Sequence, residues 1–572
     1  MNQLEKIFFL KPVIRKLFKL LIRKHKVYMS VLLVMIIGFS LIETLGISAI
    51  MPFISLASNP ELLESGIYKK VFDSLGFINN EKFIITFGIS IICFYIFRAV
   101  YSVILTYFMN RFSLGMYKYF SLKSFKTWLS VSFRAYTQKN TGELMYSITN
   151  ETSYLSRIIL HLLHLCSELF TILMVYTVIV LLNWKMTVVI TVILLILVAV
   201  LLSILTGISK MQGKKLFASN RKLSRTLKES LGNLKYVKLK GNEEQILNSY
   251  ESTIEISTRS QVVNSILGII PKSILESIGF SFLVAVVVFI LWTYHDASKV
   301  IPIISMYALA LYRILPSIHR TLLNINDIAF AEKALDNIYE CLNQPIISES
   351  SEPVDFNQSI RLNDICFKYM TGSDVLSGIS MEIKKGEKIA ITGESGSGKS
   401  TLVDIIIGIH RPASGNVYVD DTIITDANIR SWRKKIGYIP QSIYLFDGTV
   451  AENVSFGSQY DEEKIQKALQ MANIWDFLSQ KEGINTMVGE GGIQLSGGQQ
   501  QRIGIARALY DNPEVLVLDE ATSALDTETE QKIMDEIYAV TRNKTLIVIA
   551  HRLSTVERCD RKIRIDQGMV QL

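Results

Sequence analysis

Long apolar runs fill the chain up to about residue 335, and beyond it apolar and polar positions alternate over short distances. A helix that crosses the hydrocarbon core of a bilayer needs ~20 mostly apolar residues. Six stretches reach that length: Tyr28–Ser55, Phe83–Met109, His161–Leu181, Met186–Ser209, Val262–Trp292 and Val300–Asn326. An even number leaves both ends of the set on one side. The connections after the first, third and fifth stretches carry few cations (Lys69, Lys70 and Lys82; Lys185; Lys299). Those after the second and fourth are long and basic, with Arg111, Lys118, Lys123, Lys126 and Arg134, then Lys210, Lys214, Lys215, Arg221, Lys222, Arg225 and Lys228. Lys and Arg gather on the cytoplasmic side of membrane proteins, so one topology is consistent, with both termini inside.

The two basic segments hold helix formers in apolar periodicity and almost no proline. They predict continuations of the spans into the cytoplasm, reversing at Thr137–Glu143 and between Leu231 and Asn242. On the opposite side, Ser58-Asn59-Pro60-Glu61 is a helix-start signal: a capping residue, proline at the first position, then an acid. Leu62, Leu63, Ile67, Tyr68, Val71, Phe72 and Leu75 follow at helical spacing before Gly76. This predicts a short amphipathic helix at the outer membrane surface; a loop packed on its neighbours is the plainer alternative.

The 572 residues are 49% hydrophobic and carry a net charge of +8. That excess flanks the apolar stretches, which gives it a membrane explanation and implies no nucleic-acid partner. Residues 1–26 interleave Lys6, Lys11, Arg15, Lys16, Lys19, Arg23, Lys24 and Lys26 with aliphatic and aromatic side chains. This basic amphipathic segment suits an anionic membrane surface, and no cleavable signal peptide is apparent. Cys93, Cys166, Cys341, Cys366 and Cys559 are scattered and odd in number, a pattern that suits neither disulfides nor zinc.

A charge inside a span is costly unless it meets a partner or a water-filled cavity. Arg98, Lys272, Arg313 and Arg320 fall within the apolar stretches, against Glu43, Glu168 and Glu276. Arg313 and Arg320 are two helical turns apart and share a face. Lys272 and Glu276, four apart, equally fit mutual neutralisation, and Arg320 equally fits snorkelling to the inner interface. Guanidinium groups fork onto phosphate oxygens, so the set predicts a cavity for an anionic head group, most economically a phosphate or pyrophosphate.

The polar stretch 341–359 reads as a linker after a membrane domain over 27–340, and 360–572 as a soluble α/β domain. Gly393-Glu394-Ser395-Gly396-Ser397-Gly398-Lys399-Ser400-Thr401 follows the strand-like Lys388–Ile391 and precedes a helical run. This is a phosphate loop: glycines let backbone N–H groups crowd the phosphates, Lys399 reaches the β- and γ-phosphates, and Ser400 ligates Mg2+. Val515–Leu518 is a buried-strand pattern ending in Asp519 and Glu520. Asp519 suits Mg2+, and Glu520 suits a general base on the attacking water.

Between them lies Leu495-Ser496-Gly497-Gly498-Gln499. In this order the three motifs resemble an ABC (ATP-binding cassette) nucleotide-binding domain over 360–572. The resemblance implies that Tyr369 stacks on adenine, that Gln441 senses Mg2+, and that His551 sits near the γ-phosphate. It also implies that Ser496, Gly497, Gly498 and Gln499 cap the ATP of a second subunit, and that Ser523–Asp526 crosses the dimer seam. A chain with one membrane domain and one cassette then implies a homodimer.

More narrowly, the whole chain resembles bacterial flippases for polyprenyl-pyrophosphate-linked oligosaccharides (PglK type). The similarity rests on Ile42-Glu43-Thr44, Met51-Pro52-Phe53-Ile54, Phe97-Arg98-Ala99, Thr137-Gln138-Lys139-Asn140, Ala308–Arg313 and Tyr438–Phe446. It implies a six-helix membrane domain of ABC exporter type followed by an α/β P-loop domain, in the bacterial plasma membrane. ATP and Mg2+ would drive lipid-linked oligosaccharide to the outer leaflet, for protein N-glycosylation or a related pathway such as O-antigen. A multidrug or lipid A exporter is the alternative.

Overall fold

A computed structural model describes residues 10–571 except 59, 61–62, 64–65, 75, 183, 295–299, 370–373, 521–526 and 550–555. Some further side chains, Arg313 among them, also lie outside the description. So do His551, the Ser523–Asp526 segment, and part of the Asn59–Glu61 helix-start signal. The chain divides into two compact units, Met1–Leu129 with Lys139–Gln344, and Ser130–Gln138 with Pro345–Leu572.

The first unit is helical. Helix α1 (Leu10–Leu20) precedes the long α2 (Arg23–Ser58), the short α3 (Gly66–Ser74) and α4 (Asn80–Ser130). At 1.5 Å per residue the 51 residues of α4 span about 76 Å, far more than the ~30 Å hydrocarbon core. The predicted continuation of the second span is therefore one unbroken helix. After α5 (Phe133–Tyr136), which clusters with the second unit, come α6 (Thr141–Tyr146) and α7 (Thr152–Leu182). Helix α8 (Trp184–Gly232) turns at α9 (Leu234–Lys240) into α10 (Glu243–Tyr294), and α11 (Val300–Leu342) ends the unit. Among the described residues, five helices are long and apolar enough to cross a membrane. The sixth predicted span lies in α11.

Helix α3 falls within the segment predicted to be a short helix and turns Tyr68 and Phe72 toward Leu63 and Phe83, with the Phe72 and Phe83 rings 5.5 Å apart. Its aromatic side is spent on intramolecular packing. Helix α1 likewise buries Val13, Leu17 and Leu20 in the bundle, and Lys16 pairs with Asp336 at 2.6 Å. Ile14, Phe18 and Ile22 stay exposed, so one side of the basic segment is bundle core and the other is free for a membrane surface.

Where a turn of π-helix (Ser147–Glu151) interrupts the α6–α7 run, Glu151 is fully buried. Arg221 of α8 forks onto it at 2.7 and 2.9 Å, while Ser147 and Asn337 each donate at 2.8 Å. A buried carboxylate survives only with such saturation.

The second unit is α/β. Strands β1 (Ser359–Lys368), β2 (Asp374–Lys384), β4 (Ser414–Val419) and β5 (Thr422–Ile423) form an antiparallel sheet in the order β2-β1-β4-β5. A six-stranded sheet runs β10-β9-β3-β8-β7-β6. It comprises β3 (Lys388–Thr392), β6 (Ile436–Ile439), β7 (Val515–Asp519), β8 (Thr545–Ile549), β9 (Arg561–Asp566) and β10 (Met569–Gln571). Every pair from β9 to β6 is parallel, so loops that carry chemistry collect at one edge, beyond the carboxyl ends of the strands. One core, with Phe356, Phe367 and Trp432, includes residues of both sheets; another underlies β6–β8 and α13 (Gly497–Leu509).

Candidate functional site

The phosphate loop leaves β3 and enters α12 (Lys399–Ile406). Gly393 has φ +148° and Gly398 φ +103°; a Cβ at Gly393 would lie 2.1 Å from the Ile565 carbonyl oxygen. Only glycine accepts both the backbone conformation and the contact. Lys399 Nζ donates to the Gly393 carbonyl at 3.0 Å and the Glu394 carbonyl at 2.7 Å, which holds its ammonium inside the loop. Glu394 and Ser395 form the exposed rim with Gly396; Ser397, Lys399 and Thr401 are buried. The Tyr369 hydroxyl is 3.3 Å from Thr401 Oγ1, so the aromatic expected at the base stands beside the loop.

Strand β7 lies two strands from β3 and delivers Asp519 to the same edge, with Ser400 Oγ 3.5 Å from its Oδ1 and the Tyr438 hydroxyl donating to Oδ2 at 3.2 Å. Ile439 pairs with Leu518, so Gln441, two residues further along, reaches Glu520, and its Nε2 donates to Oε2 at 2.8 Å. Glu520 adopts φ +46°, a sparsely populated region for a residue with a side chain, and such outliers concentrate at functional sites.

Three carboxylates crowd this edge. Burial, with the charge of Asp519, pushes Asp404 of α12 up to about 6, and burial together with Glu520 raises Asp519. Sequence reasoning missed Asp404 because nothing in the phosphate-loop pattern specifies the fifth residue beyond the lysine. The clustered carboxylates and the hard oxygen donors of Ser400, Asp519 and Gln441 fit Mg2+, which takes few protein ligands and completes its shell with water and phosphate.

The signature residues start helix α13. Ser496 Oγ accepts from the Gln499 backbone N–H and the Gln499 side chain accepts from the Ser496 N–H, a reciprocal cap. Ser496 and Gly497 are exposed, so the N-terminal end of a 13-residue helix, with its unsatisfied N–H groups and positive dipole end, faces outward.

A link between signature helix and Gln441 segment was not foreseen. Arg507 of α13 donates to the Tyr444 carbonyl at 3.0 Å and to the Asn453 side chain at 2.9 Å; Asn453 in turn accepts from Phe446 N–H. Gly504 is so close to Ile443 that a Cβ there would lie 2.3 Å from its Cδ1.

The cations predicted for a cavity fare differently. Arg98 donates to the buried Glu43 at 2.5 Å, and Arg320 forks onto Glu168 at 2.5 and 3.1 Å. Each of the two has an acid on a neighbouring helix, a pairing that spacing along one chain does not reveal. Arg98 still keeps 29% of its side chain accessible. Lys272 and Glu276 are both exposed.

Residues 376–523 match the family described as ABC transporter, and residues 50–311 the ABC transporter transmembrane region. An ATP-dependent lipid A-core flippase of Pseudomonas fluorescens is 29% identical over 95% of this chain and 90% of its own length. Multidrug resistance protein 4 of Entamoeba histolytica is 44% identical, over 43% of this chain and 20% of its own. The solved structure of a bacterial Atm1-family ABC exporter with ATP bound superposes with a TM-score of 0.77 at 22% identity, covering 96% of this chain and 94% of that one. The chain has the ABC exporter fold: a multi-pass membrane domain followed by an α/β domain that is an ABC-type ATPase.

Proposed function

We propose that this ABC exporter half-transporter works as a homodimer that flips polyprenyl-pyrophosphate-linked oligosaccharide from the cytoplasmic to the outer leaflet of the bacterial inner membrane. Protein N-glycosylation or a related glycan pathway such as O-antigen would use the product. The nucleotide-binding domains and both termini face the cytoplasm, in line with the basic segments between spans.

At the ATP site, the loop from Gly393 to Thr401 cradles the phosphates and Tyr369 receives the base. Ser400, Asp519 and Gln441 would hold Mg2+, which when bound neutralises phosphate charge. Glu520 takes the proton of the attacking water, held in place by Gln441, with His551 near the γ-phosphate. Ser496, Gly497, Gly498 and Gln499 reach the ATP of the other subunit, so closing two cassettes completes two sites. The link from Arg507 and Gly504 to the Gln441 segment gives that closure a path within the cassette from the signature helix to Gln441.

The observation that carries the substrate is Arg98. It sits in the apolar part of α4, and its pairing with Glu43 leaves part of its side chain accessible. A guanidinium that shares its charge with one carboxylate can exchange it for a pyrophosphate of higher charge. Arg313, Arg320 and Lys272 extend the same preference, and the lipid tail stays in the bilayer. The second reading is a lipid A exporter, favoured by the flippases that match along nearly the whole chain; a multidrug pump needs no arginines. ATPase stimulation separates them. Polyprenyl-pyrophosphate glycan stimulates the purified protein and lipid A does not; the reverse ranking assigns the lipid A role.

A further inference from the structure

His410 stands at a junction inside the second unit. On one side α5 presents Phe133, whose ring centroid is 5.8 Å from that of His410, and Arg134, whose guanidinium lies 5.9 Å over the Phe367 ring. On the other, His410 is 5.0 Å from Phe367 and 5.8 Å, edge-on, from Tyr369. The imidazole is 4% exposed and its Nε2 lies 3.9 Å from Asp404. The 130–138 segment is joined at both ends to helices of the membrane domain, α4 and α6. His410 and Phe367 are buried between the more exposed Phe133 and Tyr369 rings, and a close-packed middle has little free volume, so a displacement of Phe133 passes through His410 to Tyr369.

We propose that His410 is a positioning residue that sets the pose of the Tyr369 ring for the adenine base and ties that pose to the 130–138 segment. It rests on the reading of Tyr369 as the base platform. His410 touches no part of ATP; it acts by filling the space behind the ring. Neither the phosphate loop nor the signature motif requires a histidine here, and the residue lies beyond the helix that the loop begins.

The test is steady-state ATPase of the full-length protein in lipid nanodiscs. His410→Ala raises the KM for ATP roughly three- to tenfold, the range worth one or two aromatic contacts, with kcat at saturation within about twofold. His410→Phe, which restores a ring without the imidazole, returns KM toward the parent value, and Phe133→Ala raises it. The double variant His410→Ala/Tyr369→Ala is no worse than Tyr369→Ala alone, because His410 acts through that ring. Melting temperatures check that each variant is folded. An unchanged KM in His410→Ala overturns the proposal, as does a double variant whose effects multiply. Rescue by His410→Gln but not by His410→Phe also overturns it, since the Asp404 contact would then be what matters. If Tyr369→Ala itself leaves KM unchanged, the base-platform reading fails and the proposal with it, an outcome distinct from failure of His410 alone.

Discussion

The Gln441 side-chain amide donates to the Glu520 carboxylate across 2.8 Å, joining the segment after β6 to the end of β7. Glu520 is held at φ +46° while its N–H donates to the Ile549 carbonyl of β8 at 3.3 Å. Position, partner and backbone all suit an acid aimed at the water that attacks the γ-phosphate. Glu520→Gln keeps the shape and removes the base. Phosphate release falls by roughly 10²- to 10⁴-fold while ATP is still retained on the protein. Hydrolysis near the parent rate would remove Glu520 from that role.

Gly504 gives the link between signature helix and Gln441 segment a direct test. A Cβ there meets Ile443 at 2.3 Å, and overpacking of this kind costs about 1–3 kcal/mol unless the neighbour moves. Here the neighbour that yields is the Gln441 segment. Gly504→Val therefore lowers kcat more than it raises the KM for ATP, and Gly504→Val/Ile443→Ala recovers part of the loss. Steady-state ATPase reads both; an undisturbed kcat in Gly504→Val would sever the link.

The buried Glu151 and its fork from Arg221 predict an asymmetry in stability. Arg221→Ala leaves a fully buried carboxylate with Ser147 and Asn337 alone and costs about 3–5 kcal/mol. Glu151→Gln/Arg221→Met removes both charges and costs less than the single change. Thermal unfolding in detergent ranks the two; the opposite ranking would mean the pair is stabilising in its own right.

Asp404 makes a prediction about pH. Its folded value, raised by burial from 3.8 to about 6, means the native state favours the protonated form. Stability therefore declines as pH rises from about 4 to 6, and the penalty is complete above that window. Asp404→Asn removes it. With EDTA present, the variant is more stable than the parent by roughly 1–3 kcal/mol at pH 7.5, and the difference closes at pH 4. A stability gap that persists at pH 4 would place the effect in packing.

Length and apolarity alone made the long helices legible, because a bilayer imposes one requirement on every span. The phosphate loop and the Asp519-Glu520 strand end were legible because nucleotide chemistry fixes residue type and spacing locally. Pairings across the fold were not. Arg98 meets Glu43, 55 positions away, and Arg221 meets Glu151, 70 away, through helix contacts that no local pattern encodes. The aromatic residues of helix α3 find Phe83 before they find lipid, which helical spacing alone does not show. His410 carries no motif; its role is visible only where Phe133, Phe367 and Tyr369 converge on it.

The substrate claim is tested most directly by transport. The protein is reconstituted in proteoliposomes with a fluorescent polyprenyl-pyrophosphate glycan, and ATP is supplied at the cassette face. Movement of the glycan to the opposite leaflet is followed by its protection from an external quencher or glycosidase. The account predicts ATP-dependent movement that is lost in Glu520→Gln and strongly reduced in Arg98→Ala and Arg313→Ala. ATP hydrolysis at the parent rate with no relocation of the glycan, alongside brisk relocation of lipid A, would contradict it.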